Sequence, residues 1–117
     1  MNINNSSSSA AVANIWLASS NLTGGGNNFI ALKNTNVNGI SSSGSNGVIS
    51  GIDGSVPTAV AGNDNGNITI TGNTFLAVFN GILSVGGTSL SAGGSDNWNV
   101  SNNVIGPVSS GTNNIGG

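Results

Sequence analysis

The chain has 117 residues, a formal net charge of −2 and only 3% charged side chains, against about a quarter in an ordinary soluble domain. Its single basic residue, Lys33, excludes the multi-lysine footprint of electrostatic nucleic-acid or anionic-membrane binding. There is no Cys, hence no disulfide frame or thiolate metal site, and no apolar run approaches the ~20 residues that span a bilayer.

In chain order, "NIN" at 2–4 reads as a worn first strand phrase, one residue out of step with those that follow. The apolar stretch at 10–18 lacks a basic flank and is broken by Asn14, which disfavours a signal peptide. An export signal is expected to have been removed or to lie outside this sequence. Next, "AVANIWLAS" at 11–19 echoes "AVFNGILSV" at 77–85, an alignment that sets Trp16 over Ile82 and assigns it to the core. Ile30, Leu32 and Val37 then open a set of columns. "NITITGNTF" at 67–75 refills them with Ile68, Ile70 and Phe75, and "NWNVSNNVI" at 97–105 with Trp98, Val100 and Ile105. A second phrase, "NGVIS" at 46–50, returns as "NGILS" at 80–84.

Four units result, approximately 2–28, 29–66, 67–96 and 97–117, the last incomplete, within a single domain. Their length differences fall in Gly/Ser/Asn stretches such as "SSSGSNG" and "GGTSLSAGGSD". Stacked coils behave this way: a strand must sit on its neighbour, whereas a turn bulges into solvent at little cost.

Alternation in "ITIT" points Ile68 and Ile70 inward and Thr69 and Thr71 outward. Gly72 and Asn73 suit the positive φ of a sharp corner, after which Phe75 re-enters the interior. Thr35, Asn73 and Asn103 share that corner column, where stacked side chains are expected to bond as a ladder. Asn-Gly at 80–81 also suits a hairpin turn. The same dipeptide recurs at 38–39, 46–47 and 65–66 with uneven spacing, and hairpins would not need matching columns, so coils are favoured.

These phrases resemble the repeats of right-handed parallel β-helix proteins of the pectate-lyase-like architecture. More closely, they resemble the Asn/Gly-rich β-helix regions of large secreted bacterial surface proteins. The resemblance covers most of 11–117 and is clearest at 67–105. It implies an all-β fold, a short right-handed parallel β-helix (solenoid) of about three and a half coils at ~4.8 Å each, as part of a longer chain or stack. Enzymes of this architecture often combine acidic metal ligands with basic residues on a sheet face, and no such set carries over to this chain.

The titratable side chains are Asp53, Asp64, Asp96 and Lys33, with no His, Cys, Tyr or Glu. Each Asp sits in a turn-like string, "GIDGS", "GNDNG" or "GSDNW", where Asp ordinarily bonds its own backbone. Asp64 and Asp96 precede corresponding strand starts and are expected on one edge a coil apart, a weak basis for a paired-carboxylate glycosidase. "GNDNGN" and "GGSDN" faintly suggest calcium loops but match neither the EF-hand nor the β-roll repeat. Trp98 takes the place of an inward Ile and reads as core rather than as a sugar platform. The outward pair Thr69 and Thr71 is replaced by Ala31 and Lys33 and by Asn99 and Ser101, which breaks any ice-binding Thr face. The Asn-x-Ser/Thr sequons at Asn4, Asn5, Asn21, Asn67 and Asn99 are expected by chance in so Asn-rich a chain.

No catalytic, cofactor or metal residue is therefore assigned. The expectation is a non-catalytic structural or adhesive segment of an extracellular, cell-surface bacterial repeat protein, with coils as rigid spacers and turns as contacts. Its expected partners are further β-helix coils of the same longer protein or of neighbouring subunits, with cell-surface glycans a further candidate, and neither nucleic acid nor a membrane span. The rivals are a carbohydrate-binding or polysaccharide-cleaving module and a self-assembling filament subunit.

Overall fold

A computed structural model describes residues 1–4, 13–39, 46–51, 62–78, 80–84 and 94–106. Among them there is no helix. Ten short strands run in chain order: β1 (Asn2–Asn4), β2 (Ala13–Ala18), β3 (Ala31–Lys33), β4 (Asn36–Asn38), β5 (Asn46–Gly51), β6 (Thr69–Thr71), β7 (Thr74–Leu76), β8 (Ile82–Ser84), β9 (Asn99–Ser101) and β10 (Val104–Gly106). They form three sheets, ordered β1-β4-β7-β10, β2-β5-β8 and β3-β6-β9. Every strand pairing is parallel, which leaves no hairpin among the described strands. The chain thus is all-β, with parallel strands in stacked sheets.

Register follows from the apolar columns. Leu32, Ile70 and Val100 face one another across β3, β6 and β9, and Ile3, Val37, Phe75 and Ile105 do so across β1, β4, β7 and β10. Val37, Val48, Ile68, Ile70 and Phe75 are the buried core, with Ile15, Leu17, Leu32, Ile82, Trp98 and Ile105 packed partly buried against it. Alternation does the sorting: in β6, Ile70 is buried while Thr69 and Thr71 stay half-buried on the other side.

The expected inward column is covered unevenly. Ile70 is 1% exposed, whereas Ile30 is 39% and Val100 49% exposed. The cause is position in the sheet. β6 has a strand on either side, while β9, which holds Val100, and β3, which Ile30 directly precedes, are the outer strands of the sheet and are covered by a neighbouring strand on one side among the described residues.

Two sequence alignments need correction. "NIN" stacks on "NVN" of β4, with Asn2 on Asn36 and Ile3 on Val37, so it matches the second strand of the phrase rather than a slipped copy of the first. Trp16 pairs with Ile49, and Ile49 with Leu83, while Ile15 lies over Val48 and Ile82. The echo of 11–19 in 77–85 was therefore one residue out. A one-residue slip reverses every side chain, and Trp16 accordingly lies outward at 46% exposed instead of in the core.

Packing across units is complementary in size. A Cβ on Gly47 would lie 2.7 Å from Cδ1 of the Phe75 ring, and one on Gly81 2.6 Å from Cδ1 of Ile105. Asn14 occupies the equivalent place on β2 by register, where the core residue of the next unit is the smaller Val37. Asn14 Nδ2 donates to Asn38 O at 2.7 Å, and its Oδ1 is buried without a partner among the described residues.

Left-handed residues also recur in columns. Asn34, Gly72 and Asn102 have φ of 51°, 67° and 54° at the corner before β4, β7 and β10. Phe29, Asn67 and Asn97 have φ of 58°, 53° and 54° ahead of β3, β6 and β9. Asn tolerates this conformation through local hydrogen bonding, but an aromatic at Phe29 does so under strain.

Replacing Ile70 by Ala should destabilise the fold by ~2–5 kcal/mol, as for a buried large-to-small change. Val100→Ala in the same column, half-exposed, should cost well under half as much. Paired denaturant melts measure the difference, and equal losses would contradict the column as described.

Candidate functional site

The corner between paired strands requires one residue in the left-handed region and then one whose side chain turns inward. That second residue is Thr35, Asn73 or Asn103, and Thr35 and Asn73 are buried while Asn103 is half-buried. Asn73 Oδ1 accepts from Thr35 N–H at 3.0 Å. Asn103 Oδ1 accepts from Asn73 N–H at 2.9 Å and from Asn73 Nδ2 at 3.0 Å. The same two carboxamides reach a carbonyl of the preceding unit, Asn73 Nδ2 to Leu32 O at 3.0 Å and Asn103 Nδ2 to Ile70 O at 2.8 Å. Each Asn thus satisfies a donor and an acceptor of the neighbouring corner that burial would otherwise leave unpaired. Thr35 has no carboxamide, and its Oγ1 bonds only locally, to Lys33 O at 3.1 Å.

A second buried column precedes β3 and β6. Asn65 Oδ1 accepts from Asn27 N–H and from Asn27 Nδ2, both at 2.9 Å. Asn65 Nδ2 donates to Leu17 O at 3.0 Å and Asn27 Nδ2 to Ala18 O at 2.6 Å. Trp98 Nε1 donates to Asn65 O at 2.6 Å, which fixes the indole as a structural group. This column is absent from the sequence reading above. The signal was present, because the 38-residue step that relates Leu32 to Ile70 also relates Asn27 to Asn65. On the outside, carboxamide pairs are exposed: Asn36 with Asn2 at 3.0 Å and Asn38 with Asn4 at 2.7 Å.

Among the described residues the ionisable side chains are not brought together into a matched pair. Asp64 stands in register with Gly94, and Asp96 with Gly66, so the two Asp precede the paired strands β6 and β9 with an offset of two positions along the chain direction. Asp64 Oδ1 accepts from Gly94 N–H at 2.9 Å, so it bonds the next unit's backbone. Asp53 lies outside the described residues. Lys33 is exposed on β3, in the column of Thr71 and Ser101, whose hydroxyl oxygens are 3.0 Å apart. Among the described residues no group of three His, Cys, Asp or Glu is placed to share a metal ion. The arrangement offers neutral hydrogen bonding between units, and its exposed apolar side chains include Trp16, Leu22 and Phe29.

Asn73→Ala should cost ~2–5 kcal/mol, since it strands the buried Thr35 N–H and Leu32 C=O. Asn36→Ala, which removes an exposed carboxamide pair, should cost under ~1 kcal/mol. Chemical denaturation of both variants checks this contrast, and a neutral Asn73→Ala would refute the ladder's structural weight.

No protein-family model matches the chain, and no curated protein or solved structure matches it either.

Proposed function

We propose that the three sheets are the faces of a right-handed parallel β-helix of the kind the sequence resembles, and that this β-helix is a non-catalytic structural and adhesive segment of an extracellular bacterial repeat protein. The hand is the one taken by about 98% of parallel crossovers. The carrying observation is the buried carboxamide ladder through Thr35, Asn73 and Asn103. Such an interior binds one unit to the next and provides no group for chemistry. The segment acts as a rigid spacer whose variable turns make contacts, and it is part of a longer stack of coils from the same protein or from neighbouring subunits.

The uncharged outer strands support such a partner. Thr35 and Asn73 each donate their N–H to the Asn of the next unit, while among the described residues nothing accepts from Asn103 N–H. β9 and β10 are outer strands and contain no charged residue, the usual protection of an edge against pairing.

Light scattering across a wide concentration range is the test. The isolated chain should associate, and Val100→Lys, which puts a charge at the β9 edge, should reduce association. A soluble monomer at every concentration would overturn the stacking with neighbouring subunits. Turnover of a polysaccharide that vanishes in Asp64→Asn would favour a carbohydrate-active module instead.

A further inference from the structure

Phe29 occupies a position that the following units give to asparagine. By register it lies in the column of Asn67 and Asn97, because Asn28 is bridged in parallel to Gly66 and Thr69 pairs with Asn99. The backbone bonds agree: Phe29 N–H donates to Gly66 O at 3.3 Å, and Asn67 N–H to Asp96 O at 2.8 Å. All three residues have positive φ, 58°, 53° and 54°. Asn tolerates that conformation through its short polar side chain, whereas a bulky aromatic adopts it under strain. Burial does not offset the strain, since Phe29 is 82% exposed. A strained side chain turned to solvent points to a role outside the fold's own packing.

Its neighbours decide the chemistry of that role. Asn28, Asn67 and Asn97 are exposed and form a row of carboxamides along the stack. Asn67 Nδ2 donates to Asn28 Oδ1 and Asn97 Nδ2 to Asn67 Oδ1, both at 3.4 Å, beyond the usual range of such bonds. The carboxamide bonds of the buried ladders are tighter, at 2.9 and 3.0 Å. So are the exposed pairs of Asn36 with Asn2 and Asn38 with Asn4, at 3.0 and 2.7 Å. The row beside Phe29 is thus the loosely bonded one, and a ligand can take over its bonds at little cost. A sugar ring presents the complement of this surface. It has an apolar C–H face for an aromatic ring and hydroxyls that both donate to and accept from a carboxamide. Asp96 is exposed next to Asn97 and sets a carboxylate at the far end of the row, which repels an acidic sugar.

We propose that Phe29, Asn28, Asn67 and Asn97 form a binding site for neutral glycans, with the Phe29 ring against a sugar face and the carboxamide row along its hydroxyls. This rests on the adhesive part of the function proposed above and names the ligand class of one contact. The sugar is held and released unchanged.

The test is binding of the 117-residue chain to sensor surfaces carrying neutral oligosaccharides of glucose, galactose, mannose or N-acetylglucosamine, with oligogalacturonate as the acidic comparison. At least one neutral sugar should bind, and more tightly than oligogalacturonate. Phe29→Asn installs the residue of the following units, so it should weaken binding about tenfold or more while leaving the melting temperature equal or higher. Asn67→Gly keeps the left-handed backbone and should weaken binding several-fold. Trp16→Ala, which removes an exposed aromatic on β2, should bind as the native chain does. Failure of every neutral sugar to bind, native affinity in Phe29→Asn, or preference for oligogalacturonate would each overturn the site. Association of the chain in light scattering without any sugar binding would sink this site and leave the stacking role standing. Sugar binding by a chain that stays monomeric would support the site and count against the stacking.

Discussion

A buried carboxamide has several hydrogen-bonding capacities and no water to meet them, and leaving any one unmet costs about 1–3 kcal/mol. At Asn73 every partner comes from a neighbouring unit: Thr35 and Leu32 on one side, Asn103 on the other. The corner is therefore satisfied only when units are stacked in one register. The apolar columns set that register along the strands, and the ladder sets it again at the corner, because its donors and acceptors sit at fixed places on the backbone. Stacking and corner formation become one event, in keeping with repeat architectures whose units cannot bury their own apolar face.

Once that register is set, the remaining side chains are chosen against their neighbours across units rather than along the sequence. Phe75 fills the space beside Gly47, and Ile105 that beside Gly81; where Val37 stands in the Phe75 column, the corresponding place is taken by Asn14. Gly72 illustrates two demands at one position, since its φ is 67° and a Cβ there would lie 2.6 Å from Asn34 Oδ1. Phe29 is the position where this consistency breaks, an aromatic at 82% exposure in a left-handed column otherwise held by Asn67 and Asn97. Local disagreement of this kind commonly marks a contact surface, and Phe29 fits the proposed role of turns as points of contact.

Much of this was legible in the residues. Strands with period-two alternation and corners of Gly and Asn gave steps that coincide with the observed register of Leu32, Ile70 and Val100. What the sequence hid has physical reasons. Trp16 was misread because the phrase around Asn14 matches that around Asn80, yet one residue of slip is enough to turn it from core to surface. The exposure of Ile30 and Val100 depends on having no covering strand, which a column of letters does not express. Asn27 and Asn65 were overlooked because Asn is so common here that a buried one looks like a turn former. Asp64 looked like a turn former as well, and only the fold brings it to Gly94 N–H.

The account makes the corner carboxamides, rather than strand pairing alone, the element that locks one unit to the next. Native-state amide hydrogen exchange measures this residue by residue. The N–H groups of Thr35 and Asn73, which are held by Asn side chains, should exchange as slowly as that of Thr74, which is held by backbone carbonyl Thr35 O at 2.9 Å, all three opening only with the core. Exchange at Thr35 and Asn73 as fast as at the N–H of Asn103, which has no acceptor among the described residues, would show that the ladder does not hold the stack together.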